Sequence, residues 1–303
     1  MKNMKKLGKL LSVSLAVLML ASVLVACGDK APEKKETEGV DIPKETIVLP
    51  TVEVPTEKPT EEKPQPAAPI QLTIGSYNIA NGSKVNHDMS KLARDITNAK
   101  LDIVGLEEVD QFCNRSNNMD TMKTLSELTG MPYYTFFKAI NLAGTGPDGK
   151  GEYGIGVLSK YPILETERVE LYSAGKEQRA LGRTAIDVNG VTLNFFVTHV
   201  SYEETSIRTK QLKQINDIMK KYDNYLLVGD FNTDDFSEYA AFPDAGTVNT
   251  AEYHLPTFDS KGTSIDNIVY TKSNWTFSPP RTTPNKNSDH DMLYAIGMFT
   301  PGK

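Results

Sequence analysis

Along residues 70–303 the apolar positions follow two different periods. Gln71 to Ile79 alternates apolar and polar and is rich in β-prone residues, as a strand does. From Asp88 to Lys100 the period lengthens: Leu92, Ile96 and Ala99 fall at helical spacing, with Asp88 or Ser90 placed to cap the first turn. Leu101 to Val109 is a short apolar run that takes in Glu107 and Glu108 near its end. This strand–helix–strand order predicts an α/β or α+β layered fold. A second helix is expected over 119–130, stopped by Gly130 and Pro132. Residues 141–152, rich in glycine and polar groups, read as an exposed loop, and Tyr153 to Lys160 as a strand. Leu181–Val188 and Val191–Val200 flank Asn189-Gly190, the dipeptide a tight hairpin turn favours. Ile207, Leu212, Ile215 and Met219 mark a third helix over 207–221. Tyr225–Val228 reads as a buried strand, and Ser264–Tyr270 and Met292–Phe299 as the last two. No internal repeat interrupts this order.

The first 69 residues obey neither period. Lys2, Lys5, Lys6 and Lys9 precede an almost wholly apolar run over 10–25, the pattern of an export signal and too short for a stable membrane span. The run ends in Leu24-Val25-Ala26-Cys27-Gly28, which resembles the lipobox of bacterial lipoproteins. That resemblance implies cleavage after residue 26, a lipid on the Cys27 sulfur and anchoring to the outer face of the cell membrane. Residues 27–69 then form a tether. Eight of the chain's 17 prolines lie here, with charges of alternating sign and no aromatic residue, so the segment buries too little apolar surface to order itself. Stiffened by proline, it reaches at most roughly 130 Å at about 3.1 Å per residue.

Charge and cysteine content narrow the remaining 70–303. The chain carries −6; the lysines of the signal and the net acidity of the tether cancel, so the domain is also near −6. An acidic domain argues against a non-specific nucleic-acid coat. With Cys27 lipidated, Cys113 has no partner for an internal disulfide, and a structural role is expected for it.

Polar residues collect where apolar runs end, the points from which a rigid scaffold aims side chains. Asn78 closes the first strand, and Glu107 and Glu108 close the third element. Because neighbours on a strand face opposite sides, one of these glutamates is expected in a site. His199 follows an apolar run, and Asp230 and Asn232 follow the buried strand on the same side of an extended path. Asp266 lies inside an apolar strand, where a carboxylate costs several kcal/mol unless paired, and His290 is the expected partner.

Taken in order, these motifs resemble the endonuclease/exonuclease/phosphatase superfamily, the DNase I-like metal-dependent phosphohydrolases, over essentially all of residues 71–302. Leu106-Glu107-Glu108-Val109 is similar to that family's Leu-Gln-Glu-Val, and Gly154 to Ile163 to a segment ending Leu-Ser-Arg-Phe-Pro-Ile. Arg179-Ala180-Leu181-Gly182-Arg183 is similar to Arg-Ala-Leu-Leu-Arg. Thr198-His199, Gly229-Asp230-Phe231-Asn232, Ile265-Asp266 and Ser288-Asp289-His290 complete the set. Ala80 departs from the pattern, standing where some nuclease members carry an aspartate.

The resemblance implies a four-layer sandwich, with two packed mixed β-sheets flanked by helices and a site at one edge. It implies Mg²⁺ or Mn²⁺ held by Asn78, Glu108 and Asp289, with His199, Asp230, Asn232, Asp266 and His290 catalytic. Arg179 and Tyr153 are the expected substrate contacts, and the chain is expected to act as a monomer. The substrate class implied is a phosphate ester, a small molecule or a lipid headgroup. A secreted nuclease of the same fold is the alternative, and a non-catalytic binding module a more distant one.

Overall fold

A computed structural model describes residues 68–258, 262–283 and 286–302. The expected signal, Cys27 and all but the end of the tether lie outside the described residues. Among the described residues, thirteen strands and three α-helices follow in chain order. They begin with β1 (Ile70–Asn78), α1 (Met89–Asn98), β2 (Ile103–Gln111), α2 (Thr121–Thr129), β3 (Tyr133–Ala143) and β4 (Lys150–Ser159). Then come β5 (Ile163–Glu170), β6 (Ala180–Val188), β7 (Val191–His199), α3 (Thr205–Met219) and β8 (Tyr225–Asp230). The last are β9 (Ala245–Thr247), β10 (Asp266–Thr271), β11 (Trp275–Phe277), β12 (Arg281–Thr282) and β13 (Leu293–Phe299).

One sheet has the order β11-β13-β1-β2-β4-β3, with β12 beside β13; the other runs β5-β6-β7-β8-β10-β9. Each has a single parallel pair near its centre, β1 with β2 and β7 with β8, and antiparallel pairs outside it. The sheets pack β1 on β8 and β2 on β7. Leu226 and Val228 enter the layer between the sheets while Leu227 faces Leu212 and Ile215 of α3. That two-sided burial is why β8 reads as an unbroken apolar run. α1 and α2 cover the outer face of the first sheet through Leu92, Ile96, Met122 and Leu125. Gly105 shows how closely the sheets approach: a Cβ there would lie 2.3 Å from Val228 Cγ2. The expected four-layer sandwich is therefore present.

The parallel pairs matter because their C-terminal ends reach one edge together. β10 and β13, antiparallel to β8 and β1, set out from that same edge. Asn78, His199 and Asp230 are the last residues of β1, β7 and β8, Asp266 is the first of β10, and His290 just precedes β13.

The expected loop is shorter than 141–152: β3 extends to Ala143 and β4 begins at Lys150, leaving 144–149 as the exposed connection. Gly144 and Gly151 serve close approach, since a Cβ on Gly144 would lie 2.0 Å from Phe112 O and one on Gly151 2.7 Å from Cys113 Cα. β5, not expected at all, is a charged edge strand whose exposed side chains hide its period. Cys113 is buried, with Sγ 3.2 Å from Glu152 O, consistent with a structural role.

Candidate active site

β2 carries a bulge at the site edge. Leu106 pairs with Gly156 and Val109 with Gly154, so Glu107 and Glu108 share one position opposite Ile155. Glu108 takes φ 56°, a conformation costly for a glutamate and concentrated at functional sites. As expected, only one of the two glutamates enters the cleft, and the bulge is what separates them. Glu107 points into the layer between the sheets, is fully buried and accepts a 3.0 Å hydrogen bond from Ser76 Oγ. Glu108 turns into the cleft. Burial first, then the nearby Asp266 and Asp230, pushes the Glu107 carboxyl well above its ordinary range. Burial also raises Glu108, against the hydrogen bond from Asn78.

The opposite side of the edge is built on β7, β8 and β10. Asp266 pairs with Asp230 across the antiparallel ladder, and His199 with Asp230 across the parallel one. His290 donates from Nδ1 to Asp266 Oδ2 at 2.9 Å, the pairing expected from the sequence. Its Nε2 then lies 3.6 Å from Asp230 Oδ2, and His199 Nε2 lies 3.4 Å from the same oxygen. Burial opposes charging of His290, but Asp266, by charge and hydrogen bond, and then Asp230 and Asp289 outweigh it, raising the imidazole to about 10. Burial and the charge of Asp266 raise Asp230 to about 7, against His290 and the hydrogen bonds from Asn232 and Asn78.

His199 differs from His290 in its partner. Burial, then Arg179 and His290, hold it well below the ordinary histidine range, so it is neutral. Arg179 Nη1 lies 3.1 Å from His199 Nδ1. A guanidinium only donates, so Nδ1 accepts and the ring's one proton sits on Nε2, facing Asp230. Asn232 Nδ2 lies 2.9 Å from that same Nε2 and 3.0 Å from Val200 O. The Asn232 amide donates to Val200 O, and the Nε2 proton is directed to Asp230 Oδ2, 3.4 Å away. Asn232 also donates its backbone N–H to Asp230 Oδ1 at 2.9 Å, with its own φ at 49°.

Asn78 joins the two sides. Its Nδ2 lies 3.2 Å from Glu108 Oε1 and 3.0 Å from Asp230 Oδ2, while its Oδ1 accepts from the Ala80 N–H at 3.0 Å. In this conformation its amide nitrogen clamps two carboxylates, while its oxygen is turned to the Ala80 N–H. Glu108 and Asp289 both line the cleft, and the charge of Asp289 opposes ionisation of Glu108. The donors at this end suit a hard divalent ion. A cation is already drawn there: Lys84 Nζ lies 3.2 Å from Asp289 Oδ2. A second cluster, Asp230, Asp266 and His290, also brings its ligand atoms within 4.8 Å of one another. Its charge is already partly balanced by the His290 proton, which makes the Glu108–Asp289 end the better cation site.

The cleft holds about 590 Å³. Tyr153 and Arg179 line it, as expected of substrate contacts, but Arg179 is nearly buried and also pairs with Glu177 at 3.1 Å. Tyr202, Asp234, Thr263 and Phe258 line it too, and none of them was singled out from the sequence. Phe258 packs on His290, ring centroids 4.9 Å apart. The segments carrying them have no periodicity. The nearest clue was that Tyr202 lies three residues beyond His199 and Asp234 two beyond Asn232.

With this geometry in place, the comparisons agree. Residues 75–290 match the Endonuclease/Exonuclease/phosphatase family. The chain belongs to that family, and it is a hydrolase of phosphate esters; the family is generally dependent on a divalent metal. No curated protein matches it in sequence. Its fold is similar to an endonuclease/exonuclease/phosphatase from Beutenbergia cavernae, with TM-score 0.62 and 18% identity over 76% of this chain and 72% of that one. It is similar to the mannosyl-6-phosphatase Bt3783 of Bacteroides thetaiotaomicron, with TM-score 0.56 and 20% identity over 75% of this chain and all of the other. It is also similar to D. rerio TDP2 complexed with a single-strand DNA product, with TM-score 0.59 and 19% identity over 75% and 98% of the two chains.

Proposed function

We propose that this domain is a Mg²⁺- or Mn²⁺-dependent phosphodiesterase or phosphatase acting outside the cytoplasm as a monomer, tethered to the membrane through Cys27. One observation carries the catalytic part. Asp230 Oδ2 lies 3.0 Å from Asn78 Nδ2, 3.4 Å from His199 Nε2 and 3.6 Å from His290 Nε2, beside a cation site at Glu108 and Asp289.

Glu108 and Asp289, with Asn78 beside them, would hold the ion, and Asn78 sets the Glu108 carboxylate. When bound there, a divalent ion neutralises charge on the phosphate and eases departure of the leaving oxygen. Asp230 orients a water and takes its proton as the water oxygen bonds to phosphorus and the leaving oxygen parts from it. His290, doubly protonated, donates from Nε2 to a non-bridging oxygen, and Asp266 holds the ring by Nδ1. His199 donates from Nε2 without charge, fixed in that tautomer by Arg179. Both donors are preorganised toward the place where charge redistributes in the transition state. Asn232 holds the water or a phosphate oxygen, and Tyr153 and Arg179 bound the substrate.

The substrate is a small phosphate ester or a lipid headgroup rather than a polynucleotide. Five carboxylates line the cleft (Glu108, Glu177, Asp230, Asp234 and Asp289) against the single guanidinium of Arg179. A strand carrying further phosphates on each side of the reacting one needs cations there instead. The test is a panel of substrates given to the purified domain with Mg²⁺, with and without chelator: sugar phosphates, sphingomyelin, phosphoinositides, plasmid DNA and RNA. Chelator-sensitive hydrolysis of a small ester or lipid supports the reading. Cleavage of DNA or RNA alone transfers the protein to the nuclease branch, and no hydrolysis of any of them leaves a binding module. Metabolic labelling with a fatty acid, compared between wild type and Cys27→Ser, tests the anchor.

A further inference from the structure

The loop that supplies Asp289 and His290 is pinned at two points. Ser288 Oγ donates to Asn78 O at 2.7 Å, holding the loop to the end of β1. The second point lies outside the cleft. Asn287 Nδ2 lies 3.0 and 3.1 Å from the two carboxylate oxygens of Asp95 on α1, a residue 192 positions earlier, and 3.4 Å from Lys91 O. Asp95 also accepts from Tyr77 Oη at 2.9 Å. Tyr77 is fully buried and precedes Asn78, so the same carboxylate touches the strand that ends in the clamp residue and the loop that carries the catalytic pair.

Asp95 is 1% exposed, on a helix face otherwise made of Met89, Leu92, Ala93 and Ile96. A carboxylate is an expensive choice at such a place, where a leucine would pack α1 on the sheet without desolvating a charge. What leucine would not supply is an acceptor for Asn287 and Tyr77. We infer that Asp95 is a positioning residue for the hydrolysis: through Asn287 and Tyr77 it fixes loop 286–290 so that Asp289 and His290 meet the metal and the phosphate from a set place. The inference rests on the phosphate-ester reading for its effect on rate, but not for its effect on the loop.

The experiment compares Asp95→Asn and Asn287→Ala with wild type. Asp95→Asn keeps the shape but removes the charge and replaces one of the two acceptor oxygens that Asn287 Nδ2 meets with a donor. Hydrogen exchange of the peptide spanning 286–291 reads the loop directly, and Mn²⁺ affinity reads Asp289. On a substrate that wild type hydrolyses, kcat and KM are measured separately. In both variants loop protection is expected to fall about 10- to 100-fold, the equivalent of one hydrogen bond to a charged group. Mn²⁺ affinity and kcat should fall about 10- to 100-fold, as when supports of metal ligands are lost, with KM little changed. Exchange at the β7–β8 edge should not change. Unchanged loop exchange overturns the inference, and so does faster exchange with wild-type kcat. If wild type hydrolyses no ester, the functional reading fails, and loop exchange with Mn²⁺ affinity still decides the role of Asp95: a looser loop with unchanged Mn²⁺ affinity then overturns it. If Asp95→Asn does not fold, Asn287→Ala, changed in a half-buried loop, carries the test.

Discussion

At the β7–β8–β10 end of the site each buried acid meets an imidazole, whereas at the β1–β2 end Glu107 and Glu108 meet only the hydroxyl of Ser76 and the amide of Asn78. Burying a carboxylate without a counter-charge costs several kcal/mol. The first end offsets that cost within the protein: the His290 proton sits between Asp266 and Asp230. The second end leaves it outstanding, and both glutamate carboxyls are pushed up as a result. The difference teaches where each part of the chemistry belongs. Protons are managed where imidazoles balance acids, and a divalent ion belongs where acids lack a balance. Asn78 spans the two ends, touching Glu108 and Asp230 with one amide group.

Removing the ion is the strongest way to break this comparison. Chelator should reduce turnover of a phosphate ester to the level of buffer, and added Mg²⁺ or Mn²⁺ should restore it. Turnover that survives chelation would falsify the assignment of the β1–β2 end. Next in size are the proton-handling residues. Asp230→Asn and His290→Ala should each lower kcat by about 10²–10⁴, the range of general acid–base contributions. Circular dichroism should show both variants folded, and wild-type rates in either would sink the mechanism. Glu108→Gln should act through the metal instead. Its half-saturating Mg²⁺ concentration should rise by at least the roughly 10–100-fold that loss of an outer-shell support costs. A fall in kcat at saturating Mg²⁺ with no change in metal demand would place Glu108 among the proton-handling groups.

The pH profile of kcat/KM sharpens the comparison from the other side. The reaction needs Asp230 as carboxylate and His290 as imidazolium. Asp230 is raised to about 7, so the rate should climb with pH up to an acid limb at or below that value, a nearby divalent ion drawing it lower. His290 is raised to about 10, and the rate should fall as pH rises through it. His199 is neutral throughout and should add no limb. A third limb near the ordinary histidine value would show that Arg179 does not hold His199 uncharged.

Most of the fold was legible because strands buried on both faces and amphipathic helices leave strong patterns. β8 and α3 are examples, with Leu226, Leu227 and Val228 on one and Leu212 and Ile215 on the other. β5 was not legible, because a charged edge strand carries little apolar signal. Within the site, the Asp266–His290 pair followed from the cost of a lone buried carboxylate. That only one of Glu107 and Glu108 enters the cleft also followed from the sequence, but the bulge at Leu106–Val109 that separates them did not, since strand periodicity carries no sign of it. Asp95 was hidden for a different reason: its partners, Tyr77 and Asn287, are brought to it by tertiary packing alone.

Glu107→Gln should produce the smallest change in rate and is the finest test of the two-end comparison. Glu107 is fully buried and touches no part of the cleft; burial, Asp266 and Asp230 keep its carboxyl protonated well above the ordinary value of 4.5. A protonated carboxyl and a carboxamide are close in shape, and Gln is the residue at this place in the Leu-Gln-Glu-Val pattern that the segment resembles. kcat should therefore change by less than about threefold, or about 0.7 kcal/mol of barrier. Stability should change more, and with a definite sign. The folded protein holds the Glu107 proton, whereas the unfolded chain releases it above pH 4.5, so wild type loses stability as pH rises from there toward the folded value. The glutamine variant has no such proton to lose. Its thermal midpoint should match wild type near pH 4 and exceed it at pH 8, by about 2–4 °C for each kcal/mol in a domain of this size. If the variant is instead less stable at pH 8, Glu107 is ionised in the fold and owes its place to a cation. The unbalanced end of the site would then extend one residue deeper than the cleft.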